Sequence, residues 1–189
     1  VLTNCKVQWK WILQDKKSIV KRRGKMGKTY VRVDDRLIHG QTIVAWCPTL
    51  SIKEIIAIDD ESAKNPMLKS IMTMGVPPTY KTHIVTTEEA KKLLNQESTV
   101  NRLVIVKFPQ KLEELKEEIE QHAELVILGN IAKRSDTVHK VSGATGIFYL
   151  SDRDVEIIDD IISKGTEVCF QQLPNTTKTN WDAFKKSID

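Results

Sequence analysis

From Lys28 onward, short apolar, β-rich runs alternate with stretches in which apolar residues recur at helical spacing. Strands are expected over residues 29–34, 54–59, 83–86, 102–108, 125–128 and 167–173, and helices over 40–50, 62–73, 88–95, 109–122 and 151–164. In the second helix Met67, Leu68, Ile71 and Met72 fall on one apolar face, and in the fourth Leu112, Leu115 and Ile119 should turn inward. Gly75 to Pro78 ends the second helix, Ser151 with Asp152 and Asp154 has the composition of a helix N-terminus, and Gly165 stops the helix that follows. Residues 137–142 and 146–150 are short β candidates, and the tail after Asn175 is polar apart from Trp181 and Phe184. Strand and helix alternating in this way predict an α/β fold, a three-layer α/β/α single domain around a mainly parallel central sheet.

Regular patterning starts just after Met26, so Met26 is expected to be the natural start and residues 1–25 an upstream or non-native extension. Residues 1–27 are therefore set apart, as a basic N-terminal extension, from one domain over 28–189; a functional basic arm is the competing reading. Charge sharpens this division. Residues 1–28 hold nine Lys or Arg against Asp15 alone, a net +8, so with +4 on the whole chain the other 161 residues carry −4. A basic chain raises nucleic-acid or membrane binding as a hypothesis, but the basic signal belongs to the leader. The mildly acidic body lacks aromatic or glycine-rich binding motifs, and no nucleic-acid partner is expected.

Apolar runs such as Leu103 to Val106 fall far short of the roughly 20 residues that cross a bilayer. Trp9, Trp11, Ile12 and Leu13 are broken by Lys10 and followed by Asp15, Lys16 and Lys17, unlike a secretory signal. Three cysteines, Cys5, Cys47 and Cys169, lie far apart without CxxC spacing, which argues against a disulfide framework or a zinc site. A soluble protein of a reducing cytoplasm is expected, with no metal and no organic cofactor.

The chemistry concentrates in residues 32–41, RVDDRLIHGQ, between the first strand and the first helix. Ligands of open α/β sheets collect at the C-terminal ends of strands, where helix N-termini also point free N–H groups. A histidine there can use a neutral ring nitrogen as a nucleophile toward phosphorus, and histidines titrate near neutrality. His39 is suited to hold a phosphoryl group. Such a group brings about two negative charges and needs donors and a fixed cation. Arg36 and the amides around Gly40, next to Gln41, can supply them. Asp34 or Asp35 can orient the imidazole or Arg36, with at least one turned away because two carboxylates would repel the phosphate. His83, His122 and His139 take the bland structural reading, Cys47 that of a core or boundary thiol, and Lys107 usually a solvated strand end. The acid pair ending the first strand and Lys107 ending a later one also suit a receiver-like domain phosphorylated on aspartate, but the segment where its acceptor belongs reads HIVTT.

The decapeptide closely resembles the phosphohistidine motif of the enzyme IIB component of the mannose, fructose and sorbose family of bacterial phosphoenolpyruvate-dependent sugar phosphotransferase systems. The resemblance continues through IIAIDDESAKNP at 55–66, GVPP at 75–78, Gly129–Asn130 and QQLP at 171–174. It implies a cytoplasmic carrier, peripherally associated with a membrane permease, that accepts phosphoryl from a histidine of its IIA partner and passes it to a sugar held by membrane IIC and IID partners. By the same resemblance His39 is the acceptor, through Nδ1, in a shallow site at a sheet edge, and Arg36 stands where the family has a phosphate ligand. The acidic turn Asp59, Asp60 and Glu61 matches a loop bordering that site, or simply caps a helix. Thr42 departs from the apolar residue common after Gln41, and the leader has no counterpart.

Overall fold

A computed structural model describes residues 26–142 and 147–188, leaving the extension over 1–25 and the Gly146 end of the second short β candidate outside the described residues. Seven strands form the central sheet: β1 (Thr29–Asp34), β2 (Ile52–Ile58), β3 (Lys81–Val85), β4 (Asn101–Val106), β5 (Ala123–Asn130), β8 (Val168–Phe170) and β9 (Thr179–Asn180). Their order is β3-β2-β4-β1-β5-β8-β9, parallel except for β9, which runs against β8. A separate antiparallel pair, β6 (His139–Ser142) and β7 (Ile147–Leu150), covers part of one face.

Alternation along β1 sets the layers. Val31 and Val33 face one side, in a core with Val104, Val106, Val126 and Leu128 that is covered by α4 (Thr87–Leu94), α5 (Gln110–Glu114), α6 (Lys116–His122), α7 (Asp152–Ser163) and α8 (Trp181–Ile188). Tyr30 and Arg32 face the other side, under helix α1, which spans 40–49 and is π-helical over Thr42–Trp46; α2 (Asp60–Ala63) and α3 (Pro66–Thr73) follow further along the chain, and Met72 of α3 packs on this side. The three-layer α/β/α architecture expected from the sequence is thus the observed one. The chain leaves β1 toward β2 and β4 toward β5, in opposite directions across the sheet, so the C-terminal end of β1 lies where an α/β sheet opens a crevice.

Three local expectations change. The helix expected over 62–73 is two helices, α2 and α3, separated where Asn65 caps the second by accepting from the Met67 and Leu68 amides. Its apolar face is only partly covered: Met67 is 72% and Ile71 55% exposed, while Leu68 and Met72 are half-buried and Met72 packs on the core beneath helix α1. The helix expected over 109–122 breaks at Leu115, although Leu112, Leu115 and Ile119 are inward as predicted. The last strand is confined to Val168–Phe170, and the polar tail contains β9 and α8. Trp181 and Phe184 anchor that tail in an aromatic cluster with Phe170, whose ring centroids lie 5.7 and 5.4 Å from theirs.

Candidate functional site

The site is assembled on the C-terminal end of β1. Arg32 and Asp34 stand two residues apart on one strand, so both side chains point to the helix α1 face. Neither has any exposed surface. The Arg32 guanidinium donates to Asp34 Oδ2 from Nε (3.2 Å) and Nη2 (2.8 Å), and to the carbonyls of Gln171 and Gln172, each at 3.2 Å. Its Cζ lies 5.0 Å from the ring centre of Trp46, whose Nε1–H donates to the same Gln172 carbonyl at 2.9 Å. A buried guanidinium is tolerable only when its donors are met and its charge is paired, and here both conditions hold. Burial lowers the Arg32 pKa and Asp34 opposes that shift.

Gly129 makes room for this arrangement. The register of β5 against β1 slips there, Val33 pairing with Leu128 and Asp34 with Asn130. A Cβ on Gly129 would lie 2.1 Å from Arg32 Cζ. An irregularity that re-aims a strand next to a site is a recurrent use of such slips.

The loop 35–39 is pinned by its apolar residues, which throws its polar ones to the rim. Leu37 sits at φ 53°, in the left-handed region, with its side chain 3% exposed among Ile43, Cys47, Ile55 and Leu103. A non-glycine residue there costs about 1–3 kcal/mol, which burying a leucine, worth about 1.5–3 kcal/mol, offsets. Asp35 turns to β5, its amide donating to the Asn130 carbonyl at 3.2 Å while Asn130 Nδ2 donates to its carboxylate.

Asp34 is thus the acid that meets His39, with Nε2 of the ring 3.0 Å from Oδ2. Asp34 also accepts from Arg36, from the backbone N–H at 3.2 Å and from Nε at 3.1 Å, and Arg36 Nη2 reaches Gln41 Oε1 at 3.4 Å. Burial pushes the Asp34 carboxyl up, but the bonds and charges of His39, Arg32 and Arg36 outweigh it and hold its pKa well below the usual carboxylate range. The carboxylate is therefore ionised and can only accept. It follows that His39 Nε2 carries the hydrogen and that the neutral ring has its lone pair on Nδ1. Helix α1 begins beside it: Ile43 N–H to His39 C=O, 3.1 Å, is its first bond, so the N–H groups of Gly40, Gln41 and Thr42 have no acceptor within the helix. A Cβ on Gly40 would meet nothing within 4 Å, so no close contact demands glycine there.

Residues 32–41 thus bring Asp34, Arg36, His39, Gly40 and Gln41 together and set Asp35 aside. Lys107 is tied to Asp59 at 2.9 Å, and Asp59 caps α2 through the Ser62 amide at 3.2 Å. His83, His122 and His139 lie against Glu54, Asn95 and Asp152. The sequence reading missed Arg32, Trp46 and the Gln171 and Gln172 carbonyls. An arginine within the otherwise apolar run YVRV, two residues before an aspartate, was the available signal for the first.

Among the described residues no helix is long and apolar enough to cross a membrane. The family model described as "PTS system sorbose subfamily IIB component" matches residues 28–188. The chain is 30% identical over 157 residues to a probable phosphotransferase enzyme IIB component of Streptococcus pyogenes serotype M6, covering 80% of this chain and 95% of that one. It is 26% identical over 160 residues, 84% of its own length, to the mannose-specific EIIAB component of the phosphotransferase system of Escherichia coli K12, and spans about half (48%) of that protein. The crystal structure of the IIBSor domain of the sorbose permease from Klebsiella pneumoniae superposes with a TM-score of 0.72 at 20% identity, over 86% of this chain and 98% of that one. At that identity the likeness is one of fold.

Proposed function

We propose that this chain, which belongs to the sorbose subfamily of IIB components of the sugar phosphotransferase system, carries a phosphoryl group on Nδ1 of His39 between a IIA donor and a sugar. The carrying observation is the ring held by Nε2 on an ionised, buried Asp34 at 3.0 Å. That contact supports Nδ1 as the nucleophile, on a side chain 16% exposed.

In the first transfer the Nδ1 lone pair attacks phosphorus, the bond from phosphorus to the donor's histidine nitrogen breaks, and the electron pair leaves with that nitrogen. In the second, a sugar hydroxyl oxygen attacks phosphorus, its proton passes to water, the bond from phosphorus to Nδ1 breaks, and that electron pair returns to Nδ1. Arg36, with its side chain 44% exposed, and the first-turn N–H groups of helix α1 are the donors for the phosphoryl oxygens. Gln41 braces Arg36 through Oε1. As His39 becomes cationic on phosphorylation, the fixed Asp34 carboxylate stabilises the charge, as a carboxylate behind a catalytic imidazole does elsewhere. Membrane IIC and IID components are the proposed partners that hold the sugar, and the carrier works at the cytoplasmic face of that permease.

Incubation with phosphoenolpyruvate, the general phosphotransferase proteins and a IIA should place label on His39, stable in alkali, lost in acid and absent from His39→Ala. Hydroxylamine-sensitive label on Asp34, Asp35 or Asp59 would instead favour the receiver-like reading. That reading is already weakened by the sheet, because receivers order their strands 2-1-3-4-5 and this chain runs β3-β2-β4-β1-β5.

A further inference from the structure

We infer that Arg32 is a positioning residue for His39, acting through Asp34 to hold the imidazole in one tautomer and one orientation; this rests on the carrier reading. Arg32 has no exposed side-chain surface, so it can touch neither a phosphoryl donor nor a sugar directly. What it does touch is the oxygen that receives His39. Asp34 Oδ2 accepts Arg32 Nη2 at 2.8 Å and Nε at 3.2 Å and meets His39 Nε2 at 3.0 Å.

Arg36 holds the other carboxylate oxygen, Oδ1, through its backbone N–H and Nε, from a side chain that is 44% exposed. Two donors of one rigid, fully buried guanidinium on Oδ2 fix the oxygen that meets the ring from the inner side. The guanidinium is fixed in turn from three sides, by the Gln171 and Gln172 carbonyls, by the Trp46 ring and by the close backbone of Gly129. Trp46 and Arg32 share the Gln172 carbonyl, so the loop after β8 and helix α1 are clamped to the same buried charge. Orientation at His39 is thus built from residues far apart in sequence, none of which meets the reacting phosphorus.

The test uses the full chain labelled with 15N-histidine and 15N-arginine, with His39 assigned by comparison with His39→Gln. In the wild type, His39 should be the Nε2–H tautomer, with that proton and Arg32 Nε–H slow to exchange with solvent. An Nδ1–H tautomer at His39, or rapid exchange of Arg32 Nε–H, overturns the inference without any variant. Arg32→Lys keeps the charge but cannot reach both carbonyls and Asp34, and Gly129→Ala displaces the guanidinium while deleting no group. Each should lose the protected ring proton and slow phosphoryl uptake by about tenfold or more at an unchanged half-saturating donor concentration. A purely structural role predicts loss in proportion to the unfolded fraction, with the ring proton intact in what stays folded. Either variant folded, with the proton protected and uptake within about threefold of wild type, would sink the idea. Failure of wild-type His39 to take label would count against the carrier reading and leave the tautomer result standing.

Discussion

Replacing Asp34 by Asn is the most informative single perturbation, because stability and chemistry respond for separable reasons. The substitution removes the counter-charge of two arginines that differ sharply in exposure. Arg36, with a side chain 44% exposed, keeps most of its hydration, and losing its partner costs at most about 1 kcal/mol. Arg32 is fully buried, and leaving it charged and unpaired costs about 3–5 kcal/mol. The buried arginine dominates, and the expected loss is about 3–5 kcal/mol at neutral pH, against a total stability of about 5–15 kcal/mol for a typical domain. Asp34 titrates lower in the folded than in the unfolded chain. Its stabilisation is therefore complete above the unfolded carboxylate pKa, near 4, and is lost as pH falls through that value toward the lower folded one. Urea melts at pH 7, 5 and 4, at matched m-values, should give a wild-type advantage that is full at the first, nearly so at the second and shrinking at the third. A difference under about 1 kcal/mol at neutral pH, or one that does not change with pH, would refute the claim that Arg32 depends on an ionised Asp34.

Arg36→Lys should fold normally but slow both transfers by about 1–3 kcal/mol of barrier, and Arg36→Ala more, because lysine keeps the charge without the paired donors; quench-flow transfer rates beside thermal melts decide, and a folded Arg36→Ala chain with unchanged transfer would remove the residue from the mechanism. Cys47 and Cys169 should resist alkylation at neutral pH until the chain unfolds, since burial pushes their thiols up to about 12 and about 11; peptide-resolved mass spectrometry separates them from Cys5. Phe184→Ala should cost about 3–5 kcal/mol in chemical denaturation, because the ring is 1% exposed within the aromatic cluster that anchors the C-terminal helix.

What the sequence made legible was local. The run TYVRVD and the helical spacing of Leu112, Leu115 and Ile119 carry their periodicity within a few residues, and their elements and inward faces follow from it. Met67 and Ile71 carry the same spacing, yet their helix has only part of its surface covered, and no pattern in the sequence states how much of a helix its neighbours will cover. Within the site, the side chains of 32–41 were readable because one turn delivers them together. The choice between Asp34 and Asp35 was not, because it depends on Asn130, 95 residues away, capturing the second acid. Trp46 and the Gln172 carbonyl likewise meet across 126 residues of chain.

The charge balance at the site bears on why a carrier would be built this way. Arg32, Asp34 and Arg36 together hold one net positive charge, and the arginine nearer solvent is the only one placed to face a ligand. A phosphoryl group brings about two negative charges, so loading turns the site's net charge from positive to about −1, or about zero with the cationic ring counted. A site with two free arginines would bind the dianion more tightly and deepen the intermediate, which lowers the rate of the second transfer without helping the first beyond saturation. Confining Arg32 to the carboxylate instead converts its charge into orientation of His39. On the carrier reading, freeing Arg32 from Asp34 should therefore slow uptake through lost geometry, while replacing Arg36 should slow both transfers through lost contact with phosphorus-bound oxygen. The ratio of uptake to discharge rates separates the two roles, and equal ratios in Arg32→Lys and Arg36→Lys would mean that this division between the arginines is wrong.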